Sequence, residues 1–410
     1  MTPMWSTSDP VSSLGLSLAV LLLAAKVGGD LASRLRQAPV LGEILGGLLL
    51  GMLPFGWSQH IRSDASVDMI GRLGVLILLF EVGLDSTVRD VMKVGVASTR
   101  VALFGTVCTW IAGWIAARWA MPHASGVTDL FVASSLTATS IGVSARVMKD
   151  SSRSGTREAH VILGAAVLDD VFALVVLAVV TAAVVRTGDR NVTFWSVGCM
   201  VGRVVGFLAG ALLMGVTLSP WLFRASFRLR SDGALLATGL AFCFVLAWAS
   251  DLAGLAPLVG AFAAGLILED SHSAAFVARG ERSLRERMEP ISSWLVPIFF
   301  VLVGMRADCR ALAHVESCSV VLALTLAAIL GKMACAAGAP ANVDRISVAI
   351  AMWPRGEVTL VFATLGATLY VGGHPLLDTT QYSALVAVVV LTTLAAPPAL
   401  RYWWAHAANG

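Results

Sequence analysis

The segment from Ala165 to Leu174 reads Ala-Ala-Val-Leu-Asp-Asp-Val-Phe-Ala-Leu, and it places two adjacent carboxylates, Asp169 and Asp170, inside an apolar run. That run extends from Val161 to Val185 and is long enough to cross a lipid bilayer. One ionised side chain at the bilayer centre costs roughly 2.5–3.5 kcal/mol even on the lenient insertion scale. Intramembrane carboxylates mark ion pathways by default, although a buried ion pair that only locks helices together is an alternative. The segment therefore predicts a membrane helix with a functional acidic pair.

The composition of the whole chain also indicates a membrane protein. Of its 410 residues, 57% are hydrophobic and 13% are charged. A typical soluble domain has about 25% charged residues. The net charge of +3 is small and the basic residues lie in short loops, which argues against nucleic acid binding. The six cysteines show no Cys-x-x-Cys spacing, so we expect neither a disulfide framework nor a resident metal or cofactor. The predicted fold class is an all-α polytopic membrane protein.

Apolar runs separated by charged or Gly/Pro-containing loops give thirteen candidate membrane spans. Their predicted bounds are 11–27, 40–56, 67–84, 94–118, 128–147, 158–186, 194–218, 233–251, 255–270, 290–305, 316–338, 343–371 and 380–402. An odd number of spans puts the two termini on opposite sides of the membrane. Loops on one side hold about three times as many Lys and Arg residues as loops on the other. Because basic residues mark the cytoplasmic side, we expect the N-terminus outside and the C-terminus inside.

Two of these spans contain polar interruptions at mid-depth. The fifth has hydroxyl residues at Thr137, Thr139 and Ser140, and the twelfth contains Pro354-Arg355-Gly356-Glu357. Proline removes a backbone donor, and nearby hydroxyls can bond the freed backbone groups. The two spans are seven apart, so they cross the membrane in opposite directions. This pattern predicts two broken helices in an inverted repeat, with a binding site at the midplane.

Several ionisable residues accompany the acidic pair. Neighbours on a helix diverge by about 100°, so Asp169 and Asp170 need different partners. Lys332, at the centre of the eleventh span, is the natural counter-ion for one of them, with a snorkelling lysine as the alternative. We expect Pro354, Arg355 and Glu357 to serve the broken helix structurally, with the two charged side chains neutralising half-helix ends. His160 is expected to be a hydrated loop residue, with pH sensing as the alternative.

These motifs resemble the monovalent cation:proton antiporter-2 family, and within it bacterial sodium/proton antiporters of the NapA kind. The similarity runs from about Glu43 to the last span and rests on five segments. They are Thr137-Ala-Thr-Ser-Ile-Gly-Val-Ser-Ala-Arg146, Leu168-Asp-Asp-Val171, Pro297-Ile-Phe-Phe-Val-Leu-Val-Gly-Met-Arg306, Gly331-Lys332 and Pro354-Arg-Gly-Glu-Val358.

The resemblance implies a homodimer in the bacterial cytoplasmic (inner) membrane, in contact with lipid. Dimer or gate helices would occupy residues 1–93 and, with a linker helix, 187–315. A core transport domain would combine residues 94–186 and 316–410. Asp170 corresponds to the aspartate that binds the cation and the proton, and Asp169 to the one paired with Lys332. Thr137, Thr139 and Ser140 would add ligands for Na⁺ held at Asp170 and Asp169.

The sequence thus predicts an Na⁺ (or Li⁺)/H⁺ antiporter, not an enzyme. Burial beside a second carboxylate disfavours the charged form, so Asp170 can hold a proton and exchange it for Na⁺. If Asp169 is drawn toward the cation, Lys332 can release a second proton, which makes the exchange electrogenic. A K⁺/H⁺ antiporter of the same fold stays open. An intramembrane aspartyl protease would need carboxylates on two facing helices, and a channel would need rings of charge around a pore.

Overall fold

The structure is a computed structural model, and it describes residues 9–35, 37–53, 56–85, 95–140, 143–144, 147–148, 151, 153, 156–187, 202, 206–207, 210–211, 233–253, 255–268, 283–308, 315–371 and 373–407. Its helices are α1 (Pro10–Arg34), α2 (Pro39–Met52), α3 (Gly56–Ser63), α4 (Ala65–Asp85), α5 (Val96–Ala120), α6 (Gly126–Ser135), α7 (Arg157–Thr187), α8 (Ala234–Leu252), α9 (Pro257–Ile267), α10 (Leu284–Arg306), α11 (Val315–Met333), α12 (Cys335–Gly338), α13 (Arg345–Ala351), α14 (Glu357–Thr368) and α15 (Thr379–Ala407). Two short antiparallel strands, β1 (Tyr370–Val371) and β2 (His374–Pro375), connect α14 to α15.

The helices follow the predicted spans closely. In the described part of the chain, seven helices are long and apolar enough to cross a membrane, namely α1, α5, α7, α8, α10, α11 and α15. Three shorter apolar helices, α2, α9 and α14, accompany them. The predicted span 194–218 lies mostly outside the described residues. The fold is therefore that of an integral membrane protein. The count of thirteen spans stays a prediction.

Helix α10 begins earlier than its sequence indicates. The tenth span was predicted to begin at residue 290, but the helix begins at Leu284, so the predicted start is too late. Ser283 is the N-cap, and its hydroxyl accepts a hydrogen bond from the backbone N–H of Glu286 at 3.3 Å. An N-cap satisfies a backbone donor that would otherwise have no intrahelical partner, and it fixes the helix start whatever the hydropathy. The charged stretch before Ser283, residues 271–282, which sequence analysis interprets as an amphipathic cytoplasmic connection, lies outside the described residues.

Glycines on α2 let two other helices approach its backbone closely. A Cβ added at Gly42 would collide with the carbonyl of Gly28 on α1, and one added at Gly47 would collide with the carbonyl of Val301 on α10. In a membrane, helices associate through this kind of close packing, because lipid tails offer little hydrophobic driving force. The glycines of α2 thus fix a three-helix unit of α1, α2 and α10.

The most extensive helix contacts gather the described helices into two groups. Helices α1–α4 pack with α8–α10, and helices α5–α7 pack with α11–α15. The largest contact between the groups joins α10 to α15. There the Tyr382 hydroxyl donates to the carbonyl of Val303 at 3.0 Å, and the backbone N–H of Asp308 donates to the Ser383 hydroxyl at 2.8 Å.

Polar contacts at one end of the second group tie three of its helices together. Asp344 caps α13 by accepting from the backbone N–H groups of Ile346 and Ser347 at 3.1 and 3.2 Å. The indole of Trp403 on α15 donates to the same carboxylate at 2.8 Å. The backbone N–H of Asp344 in turn donates to Glu158 on α7 at 3.2 Å. This end of α13 is therefore held against both α7 and α15.

Replacing Gly47 by Ala tests the close packing on α2. The added methyl group meets backbone on α10, and overpacking of this kind costs about 1–3 kcal/mol. We expect Gly47→Ala to lower the unfolding temperature of the detergent-solubilised protein, followed by tryptophan fluorescence. Gly15→Ala is the control, because nothing lies within 4 Å of a Cβ added there. Equal unfolding temperatures for the two variants would contradict the packing.

Candidate functional site

Two interrupted helical segments meet at the centre of the second group. Helix α6 ends at Ser135, and residues 136–140 that follow it are not helical. Residues 352–356 likewise separate α13 from α14. The backbone N–H of Ser140 donates to the carbonyl of Pro354 at 2.8 Å, and a Cβ added at Gly356 would lie 2.7 Å from the Cβ of Ser140. Pro354 cannot donate to a helix ladder and Gly356 permits the close approach, so the sequence itself places the contact here.

The Arg355 side chain satisfies backbone carbonyls freed by the interruption. Its guanidinium donates to the carbonyls of Thr137 and Ala138 at 3.2 and 2.7 Å, and to the carbonyl of Ala328 on α11 at 2.9 Å. The side chain is fully buried. The C-terminal end of a helix carries partial negative charge, which a cation stabilises. Arg355 was predicted to neutralise a half-helix end. Its positive charge lies just past the C-terminal end of α6.

Asp169 is held by three donors from three different segments. The Thr106 hydroxyl on α5 donates to Oδ1 at 2.7 Å. The Thr139 hydroxyl and the Lys332 ammonium both donate to Oδ2, each at 2.6 Å. Asp169 and Lys332 are both fully buried. Hydrogen bonds to charged groups are shorter and stronger than neutral ones, so both oxygens of this carboxylate are firmly held.

Asp170 has a different environment although it is the next residue. It is 6% exposed, and its Oδ1 has no hydrogen-bond partner in the described part of the chain. The charged groups that act on it electrostatically are Glu357, Asp169 and Lys332. A buried polar atom without a partner costs about 1–3 kcal/mol, and more when it is charged. A proton or a cation at Asp170 would remove that cost.

The other predicted site residues have separate partners. The Thr137 hydroxyl donates to the carbonyl of Ser134 at 2.8 Å, so it serves its own chain segment. Thr139 contacts Asp169 and not Asp170. The Ser140 side chain bonds Glu357, the first residue of α14. His160 is exposed and its Nδ1 lies 2.8 Å from the carbonyl of Thr156.

Sequence reasoning missed three hydroxyl residues that support the site. Thr106 contacts Asp169, Thr392 accepts from the backbone N–H of Arg355 at 3.2 Å, and Thr393 donates to the Arg355 carbonyl at 2.7 Å. Each lies in a long apolar helix where a single threonine is unremarkable in sequence. The spacing of Thr106 and Thr109, three apart on one helix face, could have indicated Thr106.

Two cavities lie between the helix groups, near opposite membrane faces. One of about 410 Å³ is lined by Pro39 at the start of α2 and by Ser140 and Glu357 at the interruption. Another, of about 220 Å³, is lined by residues including Asp68 in the first turn of α4 and Arg306 in the last turn of α10. Helix α2 runs from one face of the bundle to the other before α4 begins, so the start of α2 and the first turn of α4 lie at opposite faces. The two cavities, which these helix ends line, therefore lie toward different faces. Of these two cavities, the larger one reaches the point where the two interruptions meet, at Ser140 and Gly356.

Comparison with known proteins agrees with this arrangement of helices. The family described as sodium/hydrogen exchanger, transmembrane, matches residues 18–405, so the chain belongs to this family. It is 33% identical to the high-affinity Na⁺/H⁺ antiporter NhaS3 of Synechocystis sp., over 94% of this chain and 88% of that protein. It is 31% identical to the Na⁺/H⁺-K⁺ antiporter GerN of Bacillus cereus, over 94% and 95% of the two chains. The resemblance to monovalent cation:proton antiporters is thereby confirmed.

The fold also matches a solved antiporter structure. The sodium proton antiporter MjNhaP1 of Methanocaldococcus jannaschii superposes with a TM-score of 0.69, covering 96% of this chain and 97% of that chain. The two sequences are 15% identical, so the likeness concerns the fold. The proteins to which the chain is similar are transporters and not enzymes.

Removing Lys332 tests whether it supports Asp169. Breaking a buried ion pair by removing one partner costs about 3–5 kcal/mol, because the remaining charge stays buried. We expect Lys332→Gln to lower the unfolding temperature in detergent, and Asp169→Asn combined with Lys332→Gln to recover part of the loss. Arg34→Gln is the control, since that side chain is 76% exposed. The pairing would be contradicted by a single variant as stable as the native protein.

Proposed function

We propose that the protein exchanges Na⁺ or Li⁺ for H⁺ across the membrane, with Asp170 as the shared site. The observation that carries this proposal is the difference between the two neighbouring aspartates. Asp169 has donors on both oxygens, whereas Asp170 has a buried oxygen without a partner in the described residues. The names of the relatives NhaS3 and GerN support the choice of Na⁺ and H⁺.

Exchange follows from one site with two competing ligands. A bare carboxylate is unfavourable in so dry a place, so Asp170 holds either a proton or a cation. Ser140 lies where the two interruptions cross, bonds Glu357 and lines the larger cavity, and its hydroxyl with nearby backbone oxygens completes the coordination. Because proton and cation exclude each other, movement of the loaded site between the two faces couples their transport.

The two helix groups supply the moving parts for alternating access. We assign the group α5–α7 with α11–α15 to the core transport domain, and the group α1–α4 with α8–α10 to the dimer or gate domain. Helix packing supports this assignment, because it is more extensive within each group than between the groups. In the state described, the larger cavity reaches the interruption, and Lys/Arg bias puts that face in the cytoplasm. The homodimer and the inverted repeat belong to the same proposal.

Electrogenic exchange is proposed through Lys332. Sequence reasoning gave Asp169 to the cation as well, but both of its oxygens are occupied, so it can become a ligand only by leaving its donors. In that event Lys332 loses its partner and can release a second proton. Two protons would then exchange for one Na⁺, and the rate would depend on membrane potential.

A K⁺/H⁺ antiporter of the same fold is the second candidate. GerN, 31% identical over nearly its whole length, is described as an Na⁺/H⁺-K⁺ antiporter. Proteoliposomes that contain a pH-sensitive dye distinguish the two, when Na⁺, Li⁺ and K⁺ are titrated against one preparation. Proton movement driven by Na⁺ or Li⁺ at lower concentrations than by K⁺ supports the first proposal, and the reverse order supports the second.

Replacing Asp170 by Asn tests the shared site. Asparagine keeps the size and polarity of the side chain but cannot alternate between a proton and a cation. We expect Asp170→Asn to abolish cation-driven proton movement in the proteoliposome assay. Asp30→Asn, which makes the same change at a side chain that is 61% exposed, should transport normally. Exchange by Asp170→Asn above a few per cent of the native rate would remove Asp170 from the mechanism.

Replacing Tyr382 by Phe tests movement between the groups. The change deletes the hydrogen bond to Val303, which joins α15 to α10. A typical net hydrogen-bond strength predicts about a two- to tenfold shift toward the state open at the smaller cavity. Leu365→Cys, which lines that cavity, should therefore react faster with an impermeant thiol reagent when Tyr382→Phe is also present.

Labelling is followed by mass spectrometry of the peptide that contains position 365. Tyr402→Phe is the matched control, because Tyr402 lies on the same helix with a side chain that is 67% exposed. Equal labelling rates in the Tyr382→Phe and Tyr402→Phe backgrounds would contradict a role for this contact in the movement.

A further inference from the structure

Thr106 makes a contact that the antiport cycle described above does not use. It lies in the interior of α5, is 8% exposed, and its hydroxyl donates across the helix packing to Asp169 Oδ1 at 2.7 Å. A helical threonine commonly bonds a carbonyl of its own helix one turn back. Here the hydroxyl instead provides the donor for the Asp169 oxygen that Lys332 and Thr139 do not contact.

Thr109 on the same helix shows that this contact is specific. Its side chain is fully buried, yet its hydroxyl has no hydrogen-bond partner within the described ranges. It packs against α11, where a Cβ added at Gly331 would collide with its backbone. Two threonines thus lie one helical turn apart on α5, and one of them bonds the acidic pair. The second provides a matched control.

Thr106 bonds Oδ1 of Asp169, and this choice of oxygen determines its effect on the carboxylate. Lys332 and Thr139 both hold Oδ2, so loss of Lys332 alone would leave Asp169 with a hydroxyl donor on each oxygen. A carboxylate with a donor on each oxygen is stabilised in its existing orientation. Without Thr106, Oδ1 would have no partner from this group and would be free to serve as a ligand for a cation at the neighbouring Asp170.

We propose that Thr106 is a positioning residue that holds Asp169 away from the cation site, so that Asp169 becomes a second ligand for a cation at Asp170 only by breaking this hydrogen bond. This inference rests on the proposed exchange at Asp170. The cost of breaking that hydrogen bond weakens cation binding enough to permit release, whereas an Asp169 free to turn toward the cation would strengthen binding and slow release. Thr106 therefore sets the balance between cation affinity and turnover.

Thr106→Val tests the proposal, because it removes the hydroxyl and keeps the shape. At one fixed alkaline pH in proteoliposomes, we expect the apparent KM for Na⁺ and the maximal rate both to fall. The expected fall in KM is about two- to tenfold, the change that corresponds to one hydrogen bond of typical net strength. Thr106→Ser, which restores the donor, should return both values to those of the native protein.

Thr109→Val is expected to match the native protein, because its hydroxyl has no partner to lose in the described structure. A merely structural role for Thr106 would lower the unfolding temperature or the yield and leave KM unchanged. If Thr106→Val does not fold, Thr106→Cys decides, since a thiol is a weak donor and should lower KM by a smaller factor.

Two results would overturn the proposal. One is an unchanged or higher KM for Na⁺ in Thr106→Val or, if that variant does not fold, in Thr106→Cys. The other is an equal fall in KM for Thr109→Val. Failure of the proposed function is a separate result, because the native protein itself would then show no Na⁺-driven proton movement.

Discussion

The structure depends on the cost of burying two carboxylates side by side in one apolar helix. Bulk water does not solvate the middle of α7, so each charge needs a partner from the protein or from the transported ions. Asp169 receives partners from α5, from the interrupted segment after α6 and from α11. Asp170 receives none at Oδ1 from the described residues. Helix α7 thus carries Asp169, whose two oxygens both accept hydrogen bonds, and Asp170, whose Oδ1 has no hydrogen-bond partner among the described residues.

The interrupted helices serve that pair. An unbroken helix hides its backbone groups, whereas the breaks at residues 136–140 and 352–356 present carbonyls and hydroxyls at mid-depth. Those freed groups would themselves be costly, and Arg355 offsets part of the cost by donating to the carbonyls of Thr137 and Ala138. The same crossing brings Glu357 and Ser140 to the wall of the larger cavity. Stability of the breaks and access from the larger cavity to Ser140 and Glu357 therefore have a common origin.

The sequence predicted those parts of this arrangement whose residues are energetically most costly to bury in a membrane. Carboxylates, a lysine and a Pro-Arg-Gly-Glu motif are conspicuous in apolar runs, and that motif together with the hydroxyl cluster at Thr137, Thr139 and Ser140 indicated the two interruptions. Hydroxyl partners are not conspicuous, because a threonine in a membrane helix costs little and is common. Thr106 and Thr139 could not be assigned to Asp169 from sequence, since that assignment depends on how α5, α6 and α7 pack. The early start of α10 was missed because hydropathy marks only the apolar part of a helix, and the first turns from Leu284 are charged.

Infrared difference spectroscopy on the purified protein tests the division of roles between the two aspartates most directly. Adding Na⁺ should remove the absorption of one protonated carboxylic acid, because the cation displaces a proton from Asp170. The same loss should be present in Asp30→Asn and absent in Asp170→Asn. A carboxylic acid band that Na⁺ still removes in Asp170→Asn would contradict the assignment of the shared site to this residue.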